Sequence, residues 1–226
     1  MDPQQRLFLQ ECWTALEDAG YVGWIASGLR CGVFAGVSPG DYQMRMQAPG
    51  VPSGASTFWG NAGSILAARI SYFLNLKGPS IAIDTACSSS LVAIHLGCRS
   101  ILSGECDMAL AGGVFVATTP MFHILASNAG MLSPEGLCKT FDAGADGFVP
   151  GEGVGLVVLK SLSTAIADRD HIYGVIKGSG VNQDGKTNGI TAPSTLSQTD
   201  LEVSVYRESG IHPETIGYVE THGTGT

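Results

Sequence analysis

The stretch Ser80-Ile81-Ala82-Ile83-Asp84-Thr85-Ala86-Cys87-Ser88-Ser89-Ser90-Leu91-Val92-Ala93-Ile94-His95 decides the fold. An apolar, β-branched run stops at Cys87, and a segment apolar nearly all round, without Gly or Pro, follows it. This reads as a buried strand delivering a thiol to the first turn of a buried helix. A helix N-terminus presents unpaired N–H groups and the positive end of the dipole. Both favour thiolate over thiol, so a cysteine there is a better nucleophile than a free one. The same N–H groups can hold an oxyanion on the group under attack. The competing reading is a packed thiol, because free cysteine is also a common core residue.

Outward from this stretch, strand and helix patterns alternate. Residues 3–19 suit an amphipathic helix, with Leu7, Trp13, Leu16 and Ala19 among its apolar positions and Gly20 as its stop. Residues 31–37 read as a strand, and 38–59, rich in Gly, Pro and Ser, as a loop excursion. Helices are expected over 62–74, 88–102, 122–129 and 196–209, and further strands over 81–86, 108–117, 154–159, 172–180 and 216–220, with 130–152 a loop. The alternation implies an α/β fold with a largely parallel sheet.

Composition agrees with a sheet covered on both faces. Hydrophobic residues make up 44% of the 226 residues and charged ones only 14%. Glycine occurs 31 times, roughly twice its usual share of about 7%, but without a period, which excludes collagen-like and linker readings. A net charge of −8 argues against a nucleic-acid partner. No apolar signal region opens the chain and no run approaches the roughly 20 residues that span a bilayer. A cytoplasmic protein with no membrane association is expected. The six cysteines, at 12, 31, 87, 98, 106 and 138, show no CxxC spacing. Neither a zinc site nor a disulfide scaffold is indicated.

Other chemistry can be set aside. Gly151-Glu152-Gly153-Val154-Gly155 has GxGxG spacing and precedes a strand, where a dinucleotide fingerprint follows one. There is no GxxxxGK[ST] loop and no GxSxG elbow. Ser88, Ser89 and Ser90 suit helix-end N–H groups and close packing better than nucleophilic attack. His95 falls two turns past Cys87, in the core. His123, His171 and His212 lack a clustered carboxylate or cysteine. Asp84 is expected to cap or pair structurally, and Phe148 with the 141–153 loop to border the site.

The chain closes on Glu220-Thr221-His222-Gly223-Thr224-Gly225-Thr226, after the apolar Ile216-Gly217-Tyr218-Val219. A histidine in a Gly/Thr loop past an apolar run suits a catalytic imidazole, although a lone loop histidine is more often a solvated polar residue. DTACSSS, with HGTGT roughly 135 residues on, resembles the β-ketoacyl synthase (ketosynthase) domains of the thiolase superfamily, in particular those of modular type I polyketide synthases. The resemblance extends through MDPQQRLFLQECWTALEDAGY at 1–21, GNAGSILAARISYFLNLKGPS at 60–80, GMLSPEGLCKTFDAGADGFVPGEGVGLVVLK at 130–160 and VNQDGKTNGITAPS at 181–194. The GFVPGEG and NQDGKTNGITAPS wording is most similar to assembly lines whose acyltransferase is a separate protein.

The resemblance implies a thiolase-like fold, two similar halves with a mixed sheet each and helices between, of which this chain carries mostly the first. It implies a decarboxylative Claisen condensation, with Cys87 taking the acyl chain and His222 stabilising the extender's enolate. It implies no metal or redox cofactor; phosphopantetheine belongs to a partner acyl carrier protein. Neighbouring synthase domains and a homodimer of the complete domain are the other expected partners. The family pattern also has an opening strand, and an Asn-Ile-Gly-His motif with a preceding Lys beyond HGTGT. Residues 1–226 are therefore expected to be a partial ketosynthase domain, lacking its N-terminal strand and C-terminal half, inactive and poorly soluble alone. A non-elongating domain that only passes acyl chains on, and a fatty-acid-type condensing enzyme, are the alternative readings.

Overall fold

A computed structural model describes residues 1–51 and 54–226, so Pro52 and Ser53 of the expected loop excursion lie outside the described residues. The elements are α1 (Pro3–Asp18), β1 (Cys31–Val37), α2 (Tyr42–Met46), α3 (Ala55–Asn61), α4 (Gly63–Leu74), β2 (Ser80–Ile83), α5 (Ser89–Leu102), β3 (Met108–Phe115), α6 (Met121–Asn128), β4 (Gly153–Lys160), α7 (Leu162–Asp168) and α8 (Thr195–Ser209). Two compact units result. One comprises Met1–Asp170 with His222–Thr226, the other His171–Thr221.

The first unit is a mixed sheet of order β2-β1-β3-β4. β1 pairs parallel with β2 and β3, and β4 pairs antiparallel with β3. β1 is central and buried along its whole length. Its alternation divides the core in two. Cys31, Val33, Ala35 and Val37 pack with Phe8, Cys12 and Leu16 of α1, with Leu66, Ile70 and Leu74 of α4, and with Met108, Leu110 and Val114 of β3. Phe34 joins Ala109 and Ala111 of β3 and Ala93 of α5 on the other face. This α/β architecture agrees with the expected fold class.

α1 begins as its sequence dictates. The Gln4 backbone N–H donates to Asp2 Oδ1 at 2.8 Å, Pro3 occupies the first turn, and Gly20 follows the helix at φ 80°. Its buried stripe is Phe8, Cys12 and Leu16, whereas Trp13 is exposed. The i, i+4 row selects that face. Gln4 and Gln5 are buried as well. Gln5 donates to the carbonyls of Trp59 and Ala62, both at 3.1 Å, and accepts from Arg69 at 2.9 Å. Lys160 of β4 pairs with Asp168 at 2.5 Å and Asp170 at 2.7 Å, and Tyr21 donates to Asp170 at 2.8 Å, tying the end of β4 to the chain that follows α1.

Three sequence readings change. The 38–59 excursion contains the short helix α2 and most of α3. α7 occupies a segment with no assignment, capped by the Ser161 hydroxyl, which accepts from the Thr164 N–H. Residues 172–180 and 216–220 are not strands: among the described residues no neighbouring strand pairs with them. An apolar run becomes a strand only where another backbone supplies its hydrogen bonds. In the second unit, α8 has a Ser194 cap and ends at Gly210 (φ 63°), and Val205 and Ser209 lie against Gly180 and Gly178. No helix among the described residues is long and apolar enough to cross a membrane.

Candidate active site

β2 stops at Ile83, and the chain makes one 3₁₀ turn over Ala86–Ser88 before α5 begins. Cys87 stands in this turn, exposed. Ala86 has φ 54°, the left-handed region that costs a residue with a Cβ about 1 kcal/mol or more. Side chains hold the turn. Asp84 Oδ1 accepts from the Ala86 N–H at 3.0 Å and from the Ser38 hydroxyl at 3.0 Å. The Thr85 N–H donates to Ser89 Oγ at 2.8 Å, and that hydroxyl donates to the Ala86 carbonyl at 2.7 Å. Ser88 donates to the Thr85 carbonyl at 2.9 Å. The serines thus bond back into the turn, and Ser88 makes no side-chain cap on α5. Asp84 is exposed at the strand's end and does the structural work expected of it. The Cys87 N–H belongs to the first helical turn, where helix geometry supplies no acceptor.

Small residues set the depth of this turn. Gly36 of β1 and Gly113 of β3 are register partners. A Cβ on Gly36 would stand 2.7 Å from the Ser89 carbonyl carbon, and one on Gly113 would stand 2.9 Å from Ser90 Cβ. The start of α5 is therefore seated directly on the sheet. Ser89, Ala93, Gly97 and Ser100 continue the contact, while Leu91 and Leu102 face outward. The helix expected to be buried all round is buried on its small face. Small residues let backbones approach, and the leucines stay outside that close contact.

The ends of β1 and β3 are braced by acceptor side chains. Asp41 accepts from the Thr118 and Thr119 N–H groups at 2.9 and 2.7 Å, and from both hydroxyls. Burial pushes this carboxyl up, but the four donors outweigh it and hold it down to about 2. Glu152 Oε1 accepts from the Ala117 N–H at 2.6 Å, and Gln4 Oε1 from the Val116 N–H at 3.2 Å. A depressed carboxylate pKa adds stability above its unfolded value near 3.9 and loses it as pH falls toward 2. Asp41→Asn in the intact domain is expected to cost roughly 1–2 kcal/mol at neutral pH after solvent screening, with the difference from the parent closing between pH 4 and 2. Urea unfolding across that pH range measures it.

His222 opens a loop in which Gly223 and Gly225 adopt φ 53° and 75°. The loop docks on residues 138–147. The Gly147 N–H donates to the Gly225 carbonyl at 3.1 Å, and the Thr140 hydroxyl donates to the Gly223 carbonyl. A Cβ on Gly225 would lie 2.7 Å from the Lys139 backbone N. Lys139 pairs with Asp146 at 2.8 Å and Glu135 at 3.3 Å. These bonds raise the Lys139 pKa, and the one from Lys139 lowers that of Asp146. The 141–153 loop, expected to border the site, thus carries the His222 loop. Phe148 is half-buried, bridging with Leu132.

Cys87 and His222 both lie in the first unit, and both side chains are exposed. No hydrogen bond joins them among the described residues. Of the other cysteines, Cys12, Cys31 and Cys106 are buried, and burial pushes the Cys31 thiol up to about 12. Cys138 is exposed, its sulfur accepting from the Val149 N–H at 3.3 Å. His95 is half-buried rather than in the core; His123, His171 and His212 are exposed. No group of three or more metal-ligating side chains gathers among the described residues. The braces missing from the sequence reading are Ser38, Asp41 and Glu152; for the two carboxylates, a glycine neighbour near a strand end is the local signal.

Residues 1–165 match the family model for the N-terminal domain of β-ketoacyl synthases, and residues 173–226 that for the C-terminal domain. The chain belongs to the β-ketoacyl synthase family. Over its whole length this β-ketoacyl synthase chain is 57% identical to polyketide synthase PksL of Bacillus subtilis and 50% identical to a phenolphthiocerol/phthiocerol polyketide synthase of Mycobacterium tuberculosis. It spans 5% and 15% of those proteins. The ketosynthase from module 6 of the Bacillus subtilis bacillaene synthase superposes with a TM-score of 0.93 at 57% identity, all of this chain covering 39% of that one. An oxazolomycin ketosynthase domain of Streptomyces albus gives 0.90 at 40% identity over the whole chain and 39% of its own. The thiolase-like fold and the polyketide synthase kinship are thereby established.

Proposed function

We propose that this chain is part of a ketosynthase that catalyses decarboxylative condensation in polyketide assembly, with Cys87 as nucleophile. The observation that carries the reading is the exposed Cys87 on a strained strand-to-helix turn, ahead of the first turn of α5. The Cys87 thiolate attacks the carbonyl carbon of an acyl thioester carried on phosphopantetheine. The oxyanion meets the Cys87 N–H, the bond to the carrier sulfur breaks, and the carrier leaves as a thiol after taking up a proton. A malonyl-type extender on an acyl carrier protein then loses CO₂. Its enolate, held by a hydrogen bond from His222, attacks the Cys87 thioester, and the thiolate leaves as the β-ketoacyl product forms. The domain itself requires no bound cofactor, acts in the cytoplasm beside neighbouring synthase domains, and works as a homodimer. Exposed Ile81 on the edge strand β2 and exposed Leu91 on α5 support an assembly that covers them.

The test separates the two stages in the intact ketosynthase domain. Mass spectrometry after incubation with an acyl-carrier thioester is expected to place the acyl group on Cys87, and addition of malonyl-carrier to extend it. His222→Ala is expected to leave acylation within a few-fold and to slow extension roughly 10²–10³-fold. A domain that acylates but never extends would favour the non-elongating reading, and one that never acylates would overturn both.

A further inference from the structure

We infer that Asp84 and Ser38 are positioning residues for Cys87, holding the left-handed conformation of Ala86 that sets the thiol's place; the inference rests on Cys87 being the nucleophile. The two N–H groups preceding Cys87 are each taken by a side chain: Thr85 by Ser89 Oγ and Ala86 by Asp84 Oδ1. Ala86 has a Cβ and φ 54°, a conformation that persists only where its surroundings determine it. The Asp84 bond acts on that very peptide. Asp84 is fixed in turn, because the same Oδ1 accepts from Ser38. Ser38 directly follows β1, and its carbonyl accepts from the buried Gln4 Nε2 at 3.4 Å. A continuous path therefore runs from the N-terminus of α1 through Ser38 and Asp84 to the peptide before the nucleophile. Neither side chain needs to touch substrate. Without the Asp84 acceptor, Ala86 relaxes toward negative φ, which swings the Cys87 sulfur and N–H away from the thioester carbonyl; displacements of about 1 Å at a reacting centre cost on the order of 10²-fold.

The test uses the intact domain and the rate of Cys87 acylation by an acyl-carrier thioester, with the urea unfolding midpoint followed in parallel. Asp84→Ala is expected to slow acylation roughly 10- to 100-fold. Asp84→Asn, whose Oδ1 still accepts both hydrogen bonds, is expected to stay within about three-fold of the parent. Ser38→Ala is expected to fall between them. Glycine takes φ 54° without strain, so Ala86→Gly added to Asp84→Ala is expected to recover at least part of the rate, which a merely structural role would not do. Asp84→Ala acylating at the parental rate, or Asn and Ala behaving alike, overturns the positioning role. Loss of rate that follows the unfolding midpoint, without rescue by Ala86→Gly, also overturns it. Failure of the parent domain to acylate Cys87 at all instead overturns the proposed function.

Discussion

Cys87→Ala is expected to eliminate acyl loading of the intact domain, by on the order of 10⁴-fold or more, with little change in the urea unfolding midpoint. The sulfur is exposed and packs no core, so its removal leaves no cavity. The chemistry has no substitute nearby. Ser88 and Ser89 spend their hydroxyls on the Thr85 and Ala86 carbonyls. The buried thiols have no access, and burial holds Cys31 and Cys12 protonated. Losing a covalent nucleophile removes a whole step rather than one stabilising contact, which is why the effect exceeds that expected for His222. Cys138 is the informative control, being the other exposed thiol. Cys138→Ala is expected to load normally. Acyl groups found on Cys138, or on the domain after Cys87→Ala, would show that the nucleophile is elsewhere.

Gly36→Ala is expected to destabilise the domain strongly. The added methyl would stand 2.7 Å from the Ser89 carbonyl carbon and 2.8 Å from the Ser90 nitrogen. Both are backbone atoms, so no rotamer change relieves the clash. Either α5 lifts from the sheet or β1 bends, and β1 is hydrogen-bonded on both sides. A cost of about 3 kcal/mol or more is expected, at the upper end for overpacking. Because α5 begins directly after the Cys87 turn, acylation of the folded fraction is expected to fall as well. Gly155→Ala, with nothing within 4 Å of its Cβ, is the matched control and is expected to be close to neutral. Urea denaturation of the two variants beside the parent measures the contrast. Equal midpoints for Gly36→Ala and parent would mean that α5 sits further from the sheet than these distances say.

The parts of the fold visible in the sequence were those written in local pattern. The apolar run before Cys87 and the Gly-free, Pro-free run after it marked β2 and α5 to within a few residues. Gly20 bounded the end of α1 for the same reason, since helix stops are short-range signals. Ala86 at positive φ was invisible because alanine is not a residue that announces that conformation. Residues 172–180 and 216–220 show the limit from the other side. Their apolar pattern is genuine, yet strand formation depends on a neighbouring backbone that pattern alone does not supply. The braces Ser38, Asp41 and Glu152 depend on partners 46, 77 and 35 positions away, at Asp84, Thr118 and Ala117. The family motifs point to Cys87 and His222, but not to the 138–147 segment on which the His222 loop is docked.

The sheet order has a consequence for biosynthesis. β1 precedes the three strands it shares the sheet with and is buried along its whole length, yet its partners come late: Cys31 pairs with Met108, roughly 80 residues of chain further on. At translation rates of about 5–20 residues per second, that interval lasts roughly 4–16 s. Throughout it, a seven-residue strand with at least one edge open is exposed on the nascent chain. Until β3 arrives, that open edge is a template for pairing with a second copy of the same segment.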